Sequence, residues 1–380
     1  MAHIPFYRAT LNTEKTLELI KNALDERWLT TGPLTARFTT ELQTYLKTES
    51  LLCVSSCTIA LQLALTLCDL KPGDEVLLPT NTFMATLETV HLAGLTPVLV
   101  DTDLKTFNAD LDDLERKITL RTRAIISVPF AGNAPDMTRV QKICKDRGLI
   151  HILDNAHALE TQFEERFLHE FADYSCYSFY ATKNLTTAEG GAIVCPREKL
   201  ERARSLSLHG MSRNAWNRYA GGSWEYDIID FGFKANLTDI HAAIGLTQIP
   251  EIESNLKRRA DLVKRYNDAF DLIPQIRRQH PLQAANVHAH HLYCVSISPD
   301  SAVSRKQIIE TLTANSIGSS VHFIPLYRFT AVKERYGFNI NDFPNSENYF
   351  QGAFTLPLYP DLNSIDQKRI IDTVVALFNA

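Results

Sequence analysis

Short apolar segments alternate with amphipathic helical segments over residues 51–195, and this alternation constrains the fold more than any other feature. Runs such as residues 75–78 and 124–128 are apolar almost throughout, which is typical of strands buried on both faces of a sheet. Helical segments between such strands favour parallel pairing through crossover connections. The sequence therefore predicts an α/β fold with a large, mostly parallel sheet that helices cover on both faces.

The same pattern predicts the individual elements. Helices are expected over residues 13–24, 34–45, 59–67, 82–93, 110–118, 136–147, 198–207, 237–249, 252–272, 305–315 and 365–378. Strands are expected over residues 51–54, 75–78, 97–100, 124–128, 149–153, 174–179, 192–195, 292–297 and 320–323. Because the pattern changes after the last strand of the alternating region, we expect a large domain over residues 13–249. A smaller α/β domain is expected over residues 250–380 together with residues 1–12.

Composition and charge restrict the class of protein. The chain has 380 residues, of which 45% are hydrophobic and 22% charged, and a formal net charge of −5 without any Lys/Arg-rich run. We therefore expect a globular protein with no nucleic-acid partner. Polar residues interrupt the longest uncharged run, residues 51–68, so a buried strand and helix are expected there, with no membrane partner. The seven cysteines without a CxxC motif, and an N-terminus unlike a signal peptide, favour a cytoplasmic protein.

Polar and aromatic side chains follow several of the predicted strands, namely Ser56, Phe83, Asp154, Ser178 and Lys183. In parallel sheets ligands bind beyond the carboxyl ends of the strands, where these residues would meet. A lysine amine, a carboxylate and a helix N-terminus rich in Ser and Thr are the groups that pyridoxal phosphate requires. The amine bonds to its aldehyde, the carboxylate keeps its pyridine nitrogen protonated, and helix amides hold its phosphate. A single lysine after a strand is ordinarily a solvated charge, so the hypothesis depends on this convergence.

Segments spread over nearly the whole chain together resemble the DegT/DnrJ/EryC1/StrS family of pyridoxal phosphate-dependent nucleotide-sugar aminotransferases. They are IPFYRAT, WLTTGP, SSCTIALQLAL, PGDEVLLPTNTFMAT, LDNAHALE, SFYATKNLTTAEGGA, HGMSRNAWNRY, FGFKANLTDIHAAIG, VHFIPL, DFPNSE and LPLYP. The resemblance implies the aspartate-aminotransferase fold (fold type I) and a homodimer with shared active sites. It also implies ping-pong transfer of an amino group from an amino acid, with L-glutamate as the expected donor, to a nucleotide-linked keto sugar.

The resemblance further implies roles for residues around the cofactor ring. Lys183 would form the Schiff base and move the proton between substrate and cofactor, and Asp154 would pair with the pyridine nitrogen. Phe83 would stack on the ring face, and His157 would lie near the ring hydroxyl.

Phosphate and substrate contacts are implied in the same way. Cys57, where the family commonly has glycine, would hold the phosphate together with Thr58 and Ser178. Asn236 would reach the phosphate bound to the neighbouring subunit; in the segment before it, Lys234 and Ala235 depart from the family pattern. Contacts to the sugar nucleotide are implied for Thr30, Thr31, His322 and, within residues 213–219, Arg218.

Other functions have less support in the sequence. A sugar dehydratase of the same family would carry histidine in place of Lys183. A non-catalytic regulator that binds the cofactor or a sugar nucleotide would be expected to include a DNA-binding module, and none is visible in the sequence. His288, His290 and His291 could bind a metal, but two of them would share one face of a strand and the third would point away. Neither a G-x-S-x-G nor an early G-x-G-x-x-G motif is present, so a hydrolase and a dinucleotide fold are disfavoured.

Overall fold

A computed structural model describes residues 2–212, 226–282 and 287–379 of the chain. Its strands are β1 (Leu51–Val54), β2 (Glu75–Pro79), β3 (Thr96–Val100), β4 (Thr122–Ser127), β5 (Ile150–Asp154), β6 (Gln162–Phe163), β7 (Arg166–Phe167), β8 (Tyr174–Ser178), β9 (Gly191–Val194), β10 (Ile276–Arg278), β11 (Tyr293–Ile297) and β12 (Ala353–Leu356). Its helices are α1 (Thr13–Asp25), α2 (Pro33–Leu46), α3 (Cys57–Leu67), α4 (Met84–Leu92), α5 (Leu111–Lys117), α6 (Met137–Arg147), α7 (Leu200–Leu206), α8 (Asp239–Leu246), α9 (Ile252–Phe270), α10 (Arg305–Ala314), α11 (Thr330–Tyr336), α12 (Pro344–Gly352) and α13 (Ser364–Ala376).

The large sheet has seven strands in the order β1-β9-β8-β5-β4-β2-β3. All neighbouring pairs from β8 to β3 are parallel, whereas β9 runs antiparallel to both β8 and β1. Side chains alternate between two buried faces: Val76 and Leu78 of β2 pack in one apolar cluster, and Leu77 packs in another. Burial on both faces is the reason for the apolar runs, and the predicted fold class is confirmed.

A smaller antiparallel sheet of three strands, in the order β10-β11-β12, lies in the C-terminal part of the chain. Apolar side chains of α9, α10 and α13 pack against it in one cluster, which also contains Ile4. The backbone of Ile4 pairs with Ile317 as well. On this packing we propose the domain division after residue 249, with residues 1–12 grouped with the C-terminal domain.

The predicted elements are present with ends that differ by at most three residues, with one exception. The strand predicted over residues 320–323 is wrong, because only Ser320 pairs there, in an isolated bridge to Thr355, before the chain turns over a cavity. The small strands β6, β7, β10 and β12 and the helices α11 and α12 were not predicted. Short elements of this kind, such as β10 with its two arginines, have too few residues to establish a periodicity.

Residues 51–68 form β1 and α3, as the polar interruptions in this run indicated. Within the described ranges, no helix is both long and apolar enough to cross a lipid bilayer. All seven cysteines are free thiols, and six of them are buried.

Candidate active site

A cavity of about 440 Å³ opens at the carboxyl ends of the central strands of the large sheet. Asp154 ends β5, Ser178 ends β8, and α3 begins three residues after β1, so the topology brings these chain segments to one edge. A cavity of this size suits a small organic cofactor or substrate. Eight of the residues predicted for the site line it: Cys57, Thr58, Phe83, Asp154, His157, Ser178, Lys183 and His322.

Lys183 lies in the polar turn after β8. Its backbone N–H donates to the carbonyl of Tyr180 at 2.9 Å, and its own carbonyl accepts from the hydroxyl of Tyr7 at 3.2 Å. Burial of the side chain lowers the pKa of the amine to about 8, although the charge of Asp154 acts in the opposite direction. A lysine of this pKa holds a substantial neutral fraction near neutral pH, as a nucleophilic amine requires.

Asp154 faces the same cavity and is held by three donors. The hydroxyl of Thr86 on α4 donates to Oδ2 at 2.7 Å, the thiol of Cys57 donates to Oδ1 at 3.7 Å, and the backbone N–H of Ala156 donates to Oδ1 at 3.3 Å. Burial raises the pKa of Asp154, whereas these donors and the charge of Lys183 lower it. A carboxylate with this set of donors is suited to accept a hydrogen bond from a cationic ring nitrogen.

The N-terminus of α3 forms one wall of the cavity. The hydroxyl of Ser56 caps the helix by accepting from the backbone N–H of Ile59 at 3.2 Å. The first-turn amides that follow have no partner within the helix, and such amides bind phosphate. β9 approaches this turn closely, because a Cβ on Gly191 would lie 2.5 Å from the carbonyl carbon of Ser56 and 2.6 Å from the backbone nitrogen of Cys57. This contact explains why the strand opens with glycine.

Three histidine rings surround the inner part of the cavity. His157 accepts from the backbone N–H of Ala131 at Nδ1 over 3.3 Å, and its ring centroid lies 4.6 Å from that of His291. His322 forms a hydrogen bond through Nδ1 with Thr355 at 2.9 Å. Burial, followed by the charge of Lys183, lowers the pKa of all three rings, that of His322 to about 4. The rings are therefore neutral near pH 7, and they add polar groups without positive charge.

Thr30, Thr31 and Asn236 lie together but do not line this cavity. Asn236 donates from Nδ2 to the hydroxyl of Thr31 at 2.8 Å and to that of Thr30 at 3.3 Å, and its Oδ1 accepts from the amine of Lys234. The segment that follows Thr31 is anchored by Asp239, whose carboxylate accepts from the amides of Gly32, Leu34 and Thr35. Arg218 and the rest of residues 213–219 lie outside the described residues.

Several residues of the cavity were not predicted from the sequence, namely Phe6, Tyr7, His291 and Phe323. Phe6 stacks on His322 with a centroid distance of 5.7 Å, and Phe323 stacks on His157 at 5.9 Å. The sequence signal for His291 is the group of three histidines at positions 288, 290 and 291, of which His288 and His290 stack on each other at 4.4 Å. His291 contacts His157 instead. These histidines precede β11, so their arrangement does not come from the alternation of a strand.

The residues around the cavity fit pyridoxal phosphate. An amine with a lowered pKa, a buried carboxylate with three donors, a helix N-terminus and an aromatic side chain, Phe83, all face one volume. The ring of Phe83 is 62% exposed and projects into the cavity, where it can cover a flat ligand.

Comparison with known proteins identifies the family. The sequence profile of the DegT/DnrJ/EryC1/StrS aminotransferase family matches residues 11–375. The chain belongs to this family. The spore coat polysaccharide biosynthesis protein SpsC of Bacillus subtilis is 37% identical over 376 residues, which cover 98% of this chain and 96% of that protein.

Two solved structures extend the comparison over the whole chain. The putative sugar aminotransferase Spr1654 of Streptococcus pneumoniae, solved in its PLP form, is 33% identical, with a TM-score of 0.92 and coverage of 100% and 99% of the two chains. Helicobacter pylori PseC, an aminotransferase involved in the biosynthesis of pseudoaminic acid, is 26% identical, with a TM-score of 0.92 and full coverage of both chains. The predicted fold type, enzyme class and pyridoxal phosphate cofactor are confirmed by this membership.

Proposed function

We propose that this sugar aminotransferase moves an amino group from an amino acid, with L-glutamate as the donor, to a keto sugar linked to a nucleotide. The two half-reactions follow each other in ping-pong order on one cofactor. The observation that carries the proposal is the placement of Lys183 and Asp154 in one cavity, each with the environment that its role requires. The nucleotide and the sugar are the parts of the proposal that a substrate panel must identify.

Pyridoxal phosphate, when bound, supplies an aldehyde for amines and a ring that withdraws electrons from the carbon that loses its proton. Lys183 would hold the cofactor through its amine and, once displaced by substrate, move a proton at that carbon. Its pKa of about 8 suits both tasks, because the amine can accept and release a proton near neutral pH. Asp154 would hold a proton at the ring nitrogen, which keeps the ring electron-withdrawing.

The remaining residues would bind and orient. The backbone amide of Cys57, with Thr58 and Ser178, would hold the phosphate, in keeping with their position at the helix N-terminus and the end of β8. Phe83 would stack on the ring and His157 would approach its hydroxyl. Contacts to the sugar nucleotide are assigned to Thr30, Thr31, His322 and Arg218.

We also propose a homodimer in which each subunit contributes to the other's site. The support is that Asn236 lies with Thr30 and Thr31, outside the cavity of its own subunit. To bind a cofactor phosphate that a second subunit holds, the amide of Asn236 would exchange one of its hydrogen bonds to Thr30 and Thr31. A cytoplasmic location is proposed from the seven free thiols, which suit a reducing compartment.

Two alternative functions are weaker. A dehydratase of the same family would have histidine where Lys183 stands. A regulator without catalysis would not require both Lys183 and Asp154 to face the cavity with shifted pKa values.

Absorption spectroscopy of the purified protein tests the proposal. The loaded protein should show the visible band of lysine-bound cofactor, lose it on addition of L-glutamate, and regain it on addition of a nucleotide-linked keto sugar. Borohydride treatment followed by peptide mapping should locate the cofactor on Lys183. Labelling of another residue, or a band that does not respond to amino acids, would contradict the proposal; a panel of keto-sugar nucleotides then identifies the acceptor.

A further inference from the structure

The thiol of Cys57 points into the sheet, toward the end of β5, and does not project along the helix that it begins. The side chain is 8% exposed, and its Sγ atom lies 3.7 Å from Oδ1 of Asp154, within the range of a hydrogen bond to sulfur. The backbone amide of Cys57 is part of the α3 N-terminus, whereas its side chain serves a different group. Cys57 thus connects the N-terminus of α3, which forms one wall of the cavity, to the carboxylate of Asp154.

Cys57 is a hydrogen-bond donor in this contact. Burial raises the pKa of its thiol well above the ordinary value, and the neighbouring carboxylate raises it further, so the sulfur keeps its proton at neutral pH. A carboxylate has no proton to give when it is ionised, so the S–H must donate. The contact therefore favours the charged form of Asp154.

The two carboxylate oxygens are held from two different helices. Cys57 on α3 donates to Oδ1, and Thr86 on α4 donates to Oδ2 at 2.7 Å. Thr86 is itself hydrogen-bonded to the hydroxyl of Thr82 at 2.9 Å, and because it donates to Asp154 it must accept from Thr82. The other titratable groups that face the carboxylate are Lys183, across the cavity, and Cys176 on β8. Donors on opposite sides fix both the charge and the plane of the carboxyl group.

We propose that Cys57 is a positioning residue that acts through Asp154, because its thiol holds the carboxylate ionised and oriented toward the cofactor ring. The inference rests on the proposed role of Asp154 as the partner of the ring nitrogen. Without the thiol, the carboxylate takes the ring proton more readily, and the ring carries less positive charge. Because a less positive ring withdraws fewer electrons, the nitrogen that would join Lys183 to the cofactor would keep its proton to higher pH.

The test is a pH titration of the visible absorption of the loaded protein, which does not depend on turnover. Cys57→Ala should move the titration midpoint upward by about half a pH unit, a roughly threefold change in proton affinity, because a thiol is a weak donor. Cys57→Ser, whose hydroxyl can donate in its place, should restore the wild-type midpoint. Cys144→Ala is the matched control, since Cys144 is also a buried thiol but lies on α6 and does not line the cavity.

A double-mutant cycle gives a second measurement on the cofactor-free protein. Cys57→Ala should lower the urea midpoint of unfolding in the wild-type background and have a smaller effect in the Asp154→Asn background, since the charged acceptor is then missing. If Cys57→Ala does not load with cofactor, Cys57→Gly removes the same thiol and takes its place in both experiments.

The outcomes separate this inference from the proposed function. An unchanged midpoint in Cys57→Ala, or a Cys57→Ser variant that behaves like Cys57→Ala, would show that the thiol only fills space and would overturn the inference. If Asp154→Asn also titrates like the wild type, the proposed role of Asp154 is wrong. A midpoint shift in Asp154→Asn without one in Cys57→Ala would exclude a positioning role for Cys57, whereas the proposed function would stand.

Discussion

The phenolic hydroxyl of Tyr7 donates a hydrogen bond to the backbone carbonyl of Lys183 over 3.2 Å and so joins residues 176 positions apart. The N-terminal segment thereby holds the turn that carries the reactive amine. Tyr7 and Lys183 both line the cavity, so a shift of this turn would change the position of the amine.

Replacing Tyr7 with phenylalanine removes this hydrogen bond and keeps the ring. We expect the free energy of unfolding to fall by about 1 kcal/mol, the usual worth of one hydrogen bond. We also expect kcat to fall roughly three- to tenfold, because small displacements of a reacting group slow catalysis. Urea denaturation and steady-state kinetics measure the two effects. Tyr45→Phe is the control, since the hydroxyl of Tyr45 bonds to Glu253 outside the cavity and its loss should leave kcat unchanged.

The lowered pKa of Lys183 predicts how cofactor-free protein captures pyridoxal phosphate. Only the neutral amine reacts, so the capture rate should rise about tenfold per pH unit below the pKa of about 8 and level off above it. Stopped-flow measurement of the visible band gives the rate, and the reaction of a simple alkylamine corrects for the cofactor's own titration. A rate that continues to rise toward pH 10 would indicate an ordinary lysine, whose amine titrates near pH 10.5.

Asp154→Asn removes the negative charge from the cavity and preserves the size of the side chain. We expect the half-reaction with L-glutamate to slow at least about a hundredfold, since a preorganised charge beside a reacting group is worth this much or more. Single-turnover loss of the visible band measures the rate. Asp173→Asn serves as a control: Asp173 accepts from the amide of His151 at the opposite end of β5, so its loss should affect stability and spare the half-reaction.

Much of the fold and part of the site could be predicted from the sequence, for one physical reason. In a doubly covered parallel sheet each strand is an apolar run, and the residue after it lies at the ligand-binding edge. Asp154, Ser178 and Lys183 were identified in this way, and all three line the cavity. The resemblance to the family added Cys57, Thr58, His157 and His322, which line it as well.

The contributions that were missed come from segments with no periodicity. Phe6 and Tyr7 reach the cavity from an irregular N-terminal segment, through contacts that span most of the chain. The turn at residues 320–323 was interpreted as a strand, but the structure has Phe323 packed on His157 there. The direction of the Cys57 side chain likewise depends on the position of Asp154, a partner 97 residues away.

Mixing of inactive variants tests whether Asn236 serves the neighbouring subunit. If Asn236 serves the neighbouring subunit, a mixed dimer of Lys183→Ala and Asn236→Ala has both defects in one site, and its other site is intact. With random exchange of subunits, about a quarter of all sites should recover. Lys183→Ala mixed with Asp154→Asn is the control, because both residues face the same cavity and every site of a mixed dimer is then defective. Absence of recovery in the first mixture, once subunit exchange is verified, would assign Asn236 to its own subunit.

Gly191→Ala tests the close approach of β9 to the N-terminus of α3. The added Cβ would lie 2.5 Å from the carbonyl carbon of Ser56, and backbone atoms on both sides must move. We expect a loss of stability of about 1–3 kcal/mol and a weaker affinity for pyridoxal phosphate, because the displaced turn carries the amides proposed to hold the phosphate.

Gly337→Ala is the matched control for that variant. Gly337 has a φ of +63°, so alanine there costs roughly 1 kcal/mol through backbone strain, but its Cβ would meet no atom within 4 Å. It should lower the urea midpoint and leave the cofactor dissociation constant unchanged. Equal cofactor affinities for the two variants would show that the β9 contact does not affect phosphate binding. That result would contradict a phosphate site at the N-terminus of α3.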